Sequence, residues 1–239
     1  MSIKTILFDL DGTLLPMDLN LFVNGYIQKM IQWLVPYGYE PEKLHTSIWQ
    51  GNRAMVKNDG SQTNESAFWR TMESIYGDKA KSSMAIFDDF YIEEFSKLQS
   101  ICGFQPKASE IIRTLKQKGY RLILATNPLF PQAATYWRIR WAGLQPEDFH
   151  YISTYENSCY CKPNLDYYRE LLRIHEIDAE ECLMIGNDIA EDMVAEQLGM
   201  NVFLLTDCLI NSTGKDITNY ENGDFNKLQQ YIHNLPDLT

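Results

Sequence analysis

The strongest constraint on this chain is an alternation of strand-like and helix-like segments that fills its C-terminal part and fails over one long stretch near the N-terminus. Five apolar, β-rich runs occur at residues 3–8, 120–125, 149–153, 181–185 and 201–205. Segments of helical period lie at 107–118, 131–141, 165–175 and 190–198. The first and fourth runs are nearly continuous apolar blocks, as expected of strands covered by helices on both faces. The pattern predicts βαβ crossovers and an α/β fold: a doubly wound, Rossmann-like parallel sheet.

Residues 16–101 break the alternation. They are rich in aromatic and helix-forming residues, and no segment reads as a strand. Breakers at Pro36-Tyr37-Gly38, Asn58-Asp59-Gly60 and Gly77 divide the stretch into helices expected near 19–34, 41–57, 64–76 and 82–98. The expected organisation is an α/β core of residues 1–15 and 102–239, with an inserted all-helical domain at 16–101. The chain re-enters the core through Gly103-Phe104-Gln105-Pro106, which suits a hinge. A last helix is expected at 225–234, after an Asn- and Gly-containing stretch at 211–223.

Composition narrows the function. A net charge of -11 argues against nucleic acid, whose sequence-independent affinity comes from clustered Lys and Arg. No apolar stretch approaches the roughly 20 residues of a membrane span, so a soluble protein is expected. The N-terminal apolar run is interrupted by Asp9 and Asp11, which disfavours a secretory signal. The five cysteines (Cys102, Cys159, Cys161, Cys182 and Cys208) lack the paired spacing of a zinc site and read as thiols in a reducing cytoplasm.

Four places carry candidate chemistry. In Phe8-Asp9-Leu10-Asp11-Gly12-Thr13 an apolar strand runs into two carboxylates at i and i+2, which point the same way in extended chain. Like charges that close call for a cation or a shared proton, and Mg²⁺ commonly takes one or two carboxylates plus substrate phosphate. An ordinary Asp-Gly turn is the structural alternative. In Thr126-Asn127-Pro128, Asn127 could cap a helix that begins at Pro128, or the Thr126 hydroxyl and nearby amides could hold a phosphate. Lys162, before Pro163 at an expected helix start, is either solvated or aimed at the transferring phosphoryl group. In Gly186-Asn187-Asp188-Ile189-Ala190-Glu191-Asp192, the i, i+4 pair Asp188 and Asp192 would lie on one face of a helical first turn. Helix-dipole stabilisation alone could explain that pair, but the four places together match a metal-bound phosphate.

On these residues the chain resembles the haloacid dehalogenase superfamily, in its phosphatase-like subgroup with a helical C1-type cap. Asp9-Leu10-Asp11-Gly12-Thr13 is similar to the family's first motif, Thr126 to its second, Lys162 to its third, and Asp188 with Asp192 to its fourth. The resemblance implies a Mg²⁺-dependent phosphomonoester hydrolase acting on a small phosphorylated metabolite. Asp9 would form an aspartyl-phosphate, and Asp11 would protonate the leaving alcohol and then deprotonate water. Thr126, Asn127 and Lys162 would bind the phosphoryl group. Mg²⁺ would lie between Asp9, the main-chain carbonyl of Asp11, and Asp188, and Asp192 would orient Lys162 or metal-bound water. Many relatives place the metal-binding Asp directly after the fourth-motif Gly, whereas Asn187 intervenes here and its role is left open. The presence of Asp11 favours phosphate esters over carbon-halogen or carbon-phosphorus bonds.

The same core would also serve a phosphosugar mutase, or a binding protein that retains the fold without turnover. A monomer or weak dimer is expected. Arg53, Lys57, Trp69 and Arg70 of the cap could reach a substrate but could equally lie on solvated or packed helix faces. Trp33, Phe68 and Tyr91 read as cap core, while Trp137, Arg138, Arg140 and Trp141 read as helix-packing and surface residues.

Overall fold

The computed structural model describes residues 2–238. Six strands, β1 (Thr5–Phe8), β2 (Arg121–Leu124), β3 (Tyr151–Ile152), β4 (Cys182–Gly186), β5 (Asn201–Leu205) and β6 (Glu221–Gly223), form one sheet in the order β3-β2-β1-β4-β5-β6. Every pairing is parallel. The strands run outward in both directions from β1, so the order reverses beside it, and in open α/β sheets ligands bind beyond the strand carboxyl ends at such a reversal.

Successive side chains of a strand face opposite ways, and both faces are buried. Ile6, Phe8, Leu124 and Ile185 join one apolar cluster, and Leu7, Ile123 and Met184 another that includes Tyr167 and Tyr168. This is why β1 and β4 are written as continuous apolar blocks. Helices α1 (Leu19–Leu34), α2 (Pro41–Val56), α3 (Asn64–Tyr76) and α4 (Asp78–Glu93) follow β1 as the helical insertion. Helices α5 (Pro106–Gln117), α6 (Gln132–Trp141), α7 (Leu165–His175) and α8 (Phe225–Asn234) belong to the sheet's crossovers and C-terminus. The fold is therefore the expected doubly wound sheet with an inserted helical cap. Among the described residues, no helix is long and apolar enough to cross a membrane.

Four local expectations need correction. Residues 190–198 form no α-helix; a turn over 188–192 leads into a 3-10 helix at Met193–Leu198. Asp188 Oδ1 accepts the N–H groups of Ala190 and Glu191, and such local side-chain bonds compete with helical ones. The stretch 211–223 contains the edge strand β6, only three largely polar residues with no apolar run to announce it. The fourth cap helix starts at Asp78, and Phe95–Ile101 follows as a separate 3-10 helix. Pro163 does not itself begin a helix: α7 keeps the expected bounds, Leu165–His175, with Asn164 as its cap.

The insertion is fastened to the core where the candidate residues lie. Phe22 of α1 and Phe95 pack against Trp141 of α6, with the Phe95 and Trp141 rings stacked at 5.4 Å. Asn64, fully buried at the start of α3, donates to the Pro128 and Tyr160 carbonyls at 3.2 Å each. Its main-chain N–H donates to the Ser158 carbonyl, and that of Glu65 to the Tyr155 carbonyl. Buried carbonyls left without donors are costly. Asn64→Ala is therefore expected to lower the unfolding free energy by about 1–3 kcal/mol, read as an earlier urea midpoint at unchanged slope.

Candidate active site

Parallel pairing brings three distant segments to one level. Phe8 pairs with Leu124 on one side and Ile185 on the other, so the next residues, Asp9, Ala125 and Gly186, stand side by side at the strands' carboxyl ends. The Asp9 N–H donates to the Ile185 carbonyl at 2.9 Å, and the Ala125 N–H to the Phe8 carbonyl at 2.7 Å. Just beyond, Asp9, Asp11, Thr126, Asn127, Asp188 and Asp192 line one cavity of about 140 Å³. Lys162 reaches this group from beneath. All seven residues singled out in the sequence therefore converge.

Lys162 is 1% exposed. Its ammonium donates to Asp192 Oδ1 at 2.6 Å and to Asp9 Oδ1 at 3.0 Å. Burial works against its charge, but the Asp192 and Asp9 carboxylates outweigh burial and hold the ammonium well above lysine's ordinary pKa. Burial also raises the Asp192 carboxyl above the ordinary carboxylate range, against the pull of the same ammonium. The second Asp192 oxygen accepts the Asp188 N–H at 3.0 Å, which ties the fourth motif's loop to the lysine. Gly186 is required here because a methyl at that position would overlap the Asp192 carboxylate.

Asp11 has a partner that the sequence reading missed. Arg138, read there as a helix-packing or surface residue, is fully buried and pairs through Nη1 with Asp11 Oδ2. Its Nη2 donates to the Thr135 hydroxyl at 3.1 Å, and its guanidinium lies 4.3 Å from the centroid of the Phe130 ring. The signal was available: Arg138 stands four residues after Ala134 and three before Trp141, on the buried side of α6. A cation there demands a buried anion. Arg140, by contrast, is exposed as expected. Burial raises the Asp11 pKa to about 6, with Arg138 pulling it down and Asp9 pushing it up. Asp11 Oδ1 is buried and has no hydrogen-bond partner among the described residues.

The loop after β1 is braced by Asn187, which answers the question its insertion raised. The Thr13 hydroxyl donates to Asn187 Oδ1 at 2.9 Å, with Asp9 Oδ2 at 3.1 Å, and Asn187 Nδ2 donates to the Cys208 carbonyl at 2.7 Å. Gly12 adopts φ +86°, and a methyl there would overlap the Asn187 amide. The asparagine thus joins three loops.

Donors and acceptors are left over for a ligand. The main-chain N–H groups of Leu10, Asp11 and Asn127 meet no acceptor among the described residues, and neither does the Thr126 hydroxyl. Oriented amides of this kind suit an anion. Asn127 caps no helix, since α6 begins at Gln132. Its Nδ2 is given to Glu191 Oε2 at 3.0 Å, so its main-chain N–H is the donor that remains. Glu191, which the sequence reading did not select, also lines the cavity; burial raises its pKa to about 8.

The donor set fits a hard divalent cation. Among the described residues, the five carboxyl groups of Asp9, Asp11, Asp188, Glu191 and Asp192 are met by two cations, Lys162 and Arg138. The main-chain carbonyl of Asp11 accepts no hydrogen bond, and Asp188 is engaged through Oδ1 alone among the described residues. No group of three or more His, Cys, Asp or Glu side chains forms a metal cage among the described residues. Mg²⁺ does not require one, because it usually keeps several waters beside one or two carboxylates.

The cap residues separate. Lys57 and Arg70 line a polar cavity of about 370 Å³ elsewhere on the insertion, Trp69 is buried, and Arg53 lines a cavity adjoining the catalytic one. Phe68 and Tyr91 are buried and Trp33 is partly buried, as cap core should be.

Comparison with known proteins shows the family and the fold. The haloacid dehalogenase-like hydrolase family model matches residues 3–199. A phosphoglycolate phosphatase of Vibrio parahaemolyticus is 26% identical over 208 residues, covering 86% of this chain and 84% of that protein. Among solved structures, a HAD phosphatase from Thermococcus onnurineus superimposes with a TM-score of 0.59 at 14% identity, covering 99% of this chain and 100% of the other. A 2-haloacid dehalogenase from Pseudomonas syringae pv. tomato DC3000 does so with a TM-score of 0.62 at 18% identity, covering 97% and 98%. At these identities the structures establish likeness of fold.

Because Gly186 makes room for the Asp192 carboxylate, Gly186→Ala is expected to displace that carboxylate from Lys162. The expected cost is about 1–3 kcal/mol of stability, typical of overpacking, and urea unfolding measures it.

Proposed function

The chain belongs to the haloacid dehalogenase-like hydrolases, and on that premise we propose that it is a phosphatase that hydrolyses the phosphate monoester of a small metabolite, with Asp9 as nucleophile. The observation that carries this reading is the pair of carboxylates beyond β1. Asp9 is held by the Lys162 ammonium at 3.0 Å, while Asp11 is held by Arg138 with one oxygen free. A nucleophile next to a separately positioned acid is what a two-step displacement needs.

In the first step an Asp9 oxygen bonds to phosphorus as the bond from phosphorus to the ester oxygen breaks. Asp11 gives its proton to the departing alkoxide. In the second step Asp11, now a carboxylate, takes a proton from water; the water oxygen bonds to phosphorus, and the Asp9–phosphorus bond breaks to release inorganic phosphate. Free amides at Leu10, Asp11 and Asn127, with the Thr126 hydroxyl, would hold the phosphoryl oxygens; that they meet no acceptor among the described residues supports this reading. Lys162 neutralises Asp9 and the incoming phosphoryl charge, and Asp192 keeps it in place. Mg²⁺ held by Asp9, the Asp11 carbonyl and Asp188 would neutralise phosphoryl charge and favour in-line approach. The helical insertion, taken as residues 16–101, covers the site and selects the alcohol. Five free cysteines fit a cytoplasmic setting.

An acid with a pKa near 6 suits proton transfer close to neutrality. Asp9→Asn should abolish phosphate release from acetyl phosphate in the presence of Mg²⁺ while the far-UV circular dichroism of the variant stays that of a folded chain; because it also removes one counter-charge of the buried Lys162, some loss of melting temperature is expected. Asp11→Asn should reduce kcat/KM for alkyl phosphates about 10²–10⁴-fold, and much less for acetyl phosphate, whose leaving group needs no proton. The first step requires protonated Asp11, so kcat/KM for an alkyl phosphate should fall as pH rises through the Asp11 pKa. Arg138 favours the ionised form. Arg138→Met should therefore move that falling limb to higher pH, and a pH profile of the variant checks the sign.

A further inference from the structure

Helix α2 carries two distinct faces. Leu44, Ile48, Gly51 and Met55 are buried, and a methyl at Gly51 would overlap the Phe68 ring of α3, so this face is the one packed within the insertion. Trp49, Arg53 and Val56 follow at i, i+4 and i+7 on the other face. There Trp49 is 46% exposed and Val56 45%. Two large apolar side chains left open on one helix face form a surface that a ligand can cover.

That face looks onto a cavity of about 540 Å³, walled opposite by Val23 and Tyr26 of α1 and by Leu129 and Phe130. Val23, Leu129 and Phe130 also wall the small catalytic cavity, so the two spaces adjoin. Phe130 is the joint: its ring lies against the Arg138 guanidinium that holds Asp11. A group leaving phosphorus on the Asp11 side therefore extends past Phe130 into the larger space. The Tyr26 hydroxyl is already bonded to that of Tyr91 at 2.8 Å and offers the cavity mainly its ring. Arg53 is the cation among the lining residues, and it enters no ion pair among the described residues. In a chain of net charge -11, a free guanidinium beside the active site is an anion-selecting feature.

We infer that this cavity receives the leaving alcohol of the substrate, and that the alcohol has an aromatic-sized apolar body bearing a carboxylate for Arg53. The inference rests on the phosphatase reading above and deepens it. A two-carbon hydroxy acid such as glycolate has no apolar body to cover Trp49, Val56 and Leu129, and would leave that surface wet. Pockets of this volume with mainly apolar walls and few polar groups suit larger organic ligands.

The test uses the full chain with Mg²⁺ and four phosphates: acetyl phosphate, phosphoglycolate, benzyl phosphate and 4-carboxybenzyl phosphate. Calorimetric binding of 4-carboxybenzylphosphonate gives a readout independent of turnover. The expected order of kcat/KM among the alkyl esters is 4-carboxybenzyl, benzyl, then phosphoglycolate, with about tenfold or more between the ends. Trp49→Ala should lower kcat/KM for both benzyl esters about tenfold relative to acetyl phosphate on the same variant. Arg53→Gln should collapse the preference for the carboxylated ester over benzyl phosphate and weaken phosphonate binding. Hydrolysis of acetyl phosphate with phosphoglycolate preferred, or with both variants leaving the ratios unchanged, overturns the inference and leaves the phosphatase reading standing. Hydrolysis of none of the four overturns both.

Discussion

A lysine ammonium with no access to water governs this architecture. Removing such a charge from solvent costs several kcal/mol, which only close, well-oriented counter-charges offset. Lys162 has two, Asp9 from the central strand and Asp192 from the loop after β4. The ammonium therefore fixes the relative positions of three segments that are adjacent only in the folded chain. Parallel pairing of β1 with β2 and β4 brings the segments to the same height, and the ion pairs then set the side chains. Gly186 and Gly12 follow from this, since each is kept free of a side chain by a neighbour that the arrangement draws in.

A second buried pair solves a different problem. Two carboxylates spaced i, i+2 beyond one strand would repel each other and share their protons unpredictably. Lys162 binds one and Arg138 the other, so each acid has its own cation. Burial pushes Asp11 to about 6 despite its arginine. Separately tuned carboxyl groups are how one site can hold both a nucleophile and a proton donor near neutral pH.

Much of this was legible in the sequence, for physical reasons that differ by element. Buried parallel strands must be apolar on both faces, so β1 and β4 were plain, and β5 was recovered to the residue. Helices α1, α3, α7 and α8 were likewise found at their exact bounds, because period and breakers agreed there. The candidate residues were visible because polar groups ending apolar strands contradict the local pattern. Edge strand β6 was invisible because three residues on an exposed edge need no apolar alternation. The turn at 188–192 was misread because the acidic spacing suits a helix start, whereas the Asp188 side chain takes the N–H groups that a helix would otherwise orient. Arg138 was lost because its meaning lies in Asp11, 127 residues away, and one helix's period does not name a partner.

The fold by itself does not choose the reaction. A 2-haloacid dehalogenase shares this architecture as closely as a phosphatase does, so chemistry has to be argued from side chains. Attack by one aspartate is a strategy open to either kind of bond. What separates the two is the demand of the leaving group: halide departs as a stable anion, whereas an alkoxide needs a proton. In the proposed reaction Asp11, held by Arg138 with a free oxygen and a pKa raised by burial to about 6, would supply that proton. On the proposed reading, a divalent cation would balance the carboxyl groups beside it, and such a cation would favour a multiply charged phosphate. Ester hydrolysis, as proposed, thus depends on charge balance around Asp11, and the sheet's contribution is to hold those charges where they can act.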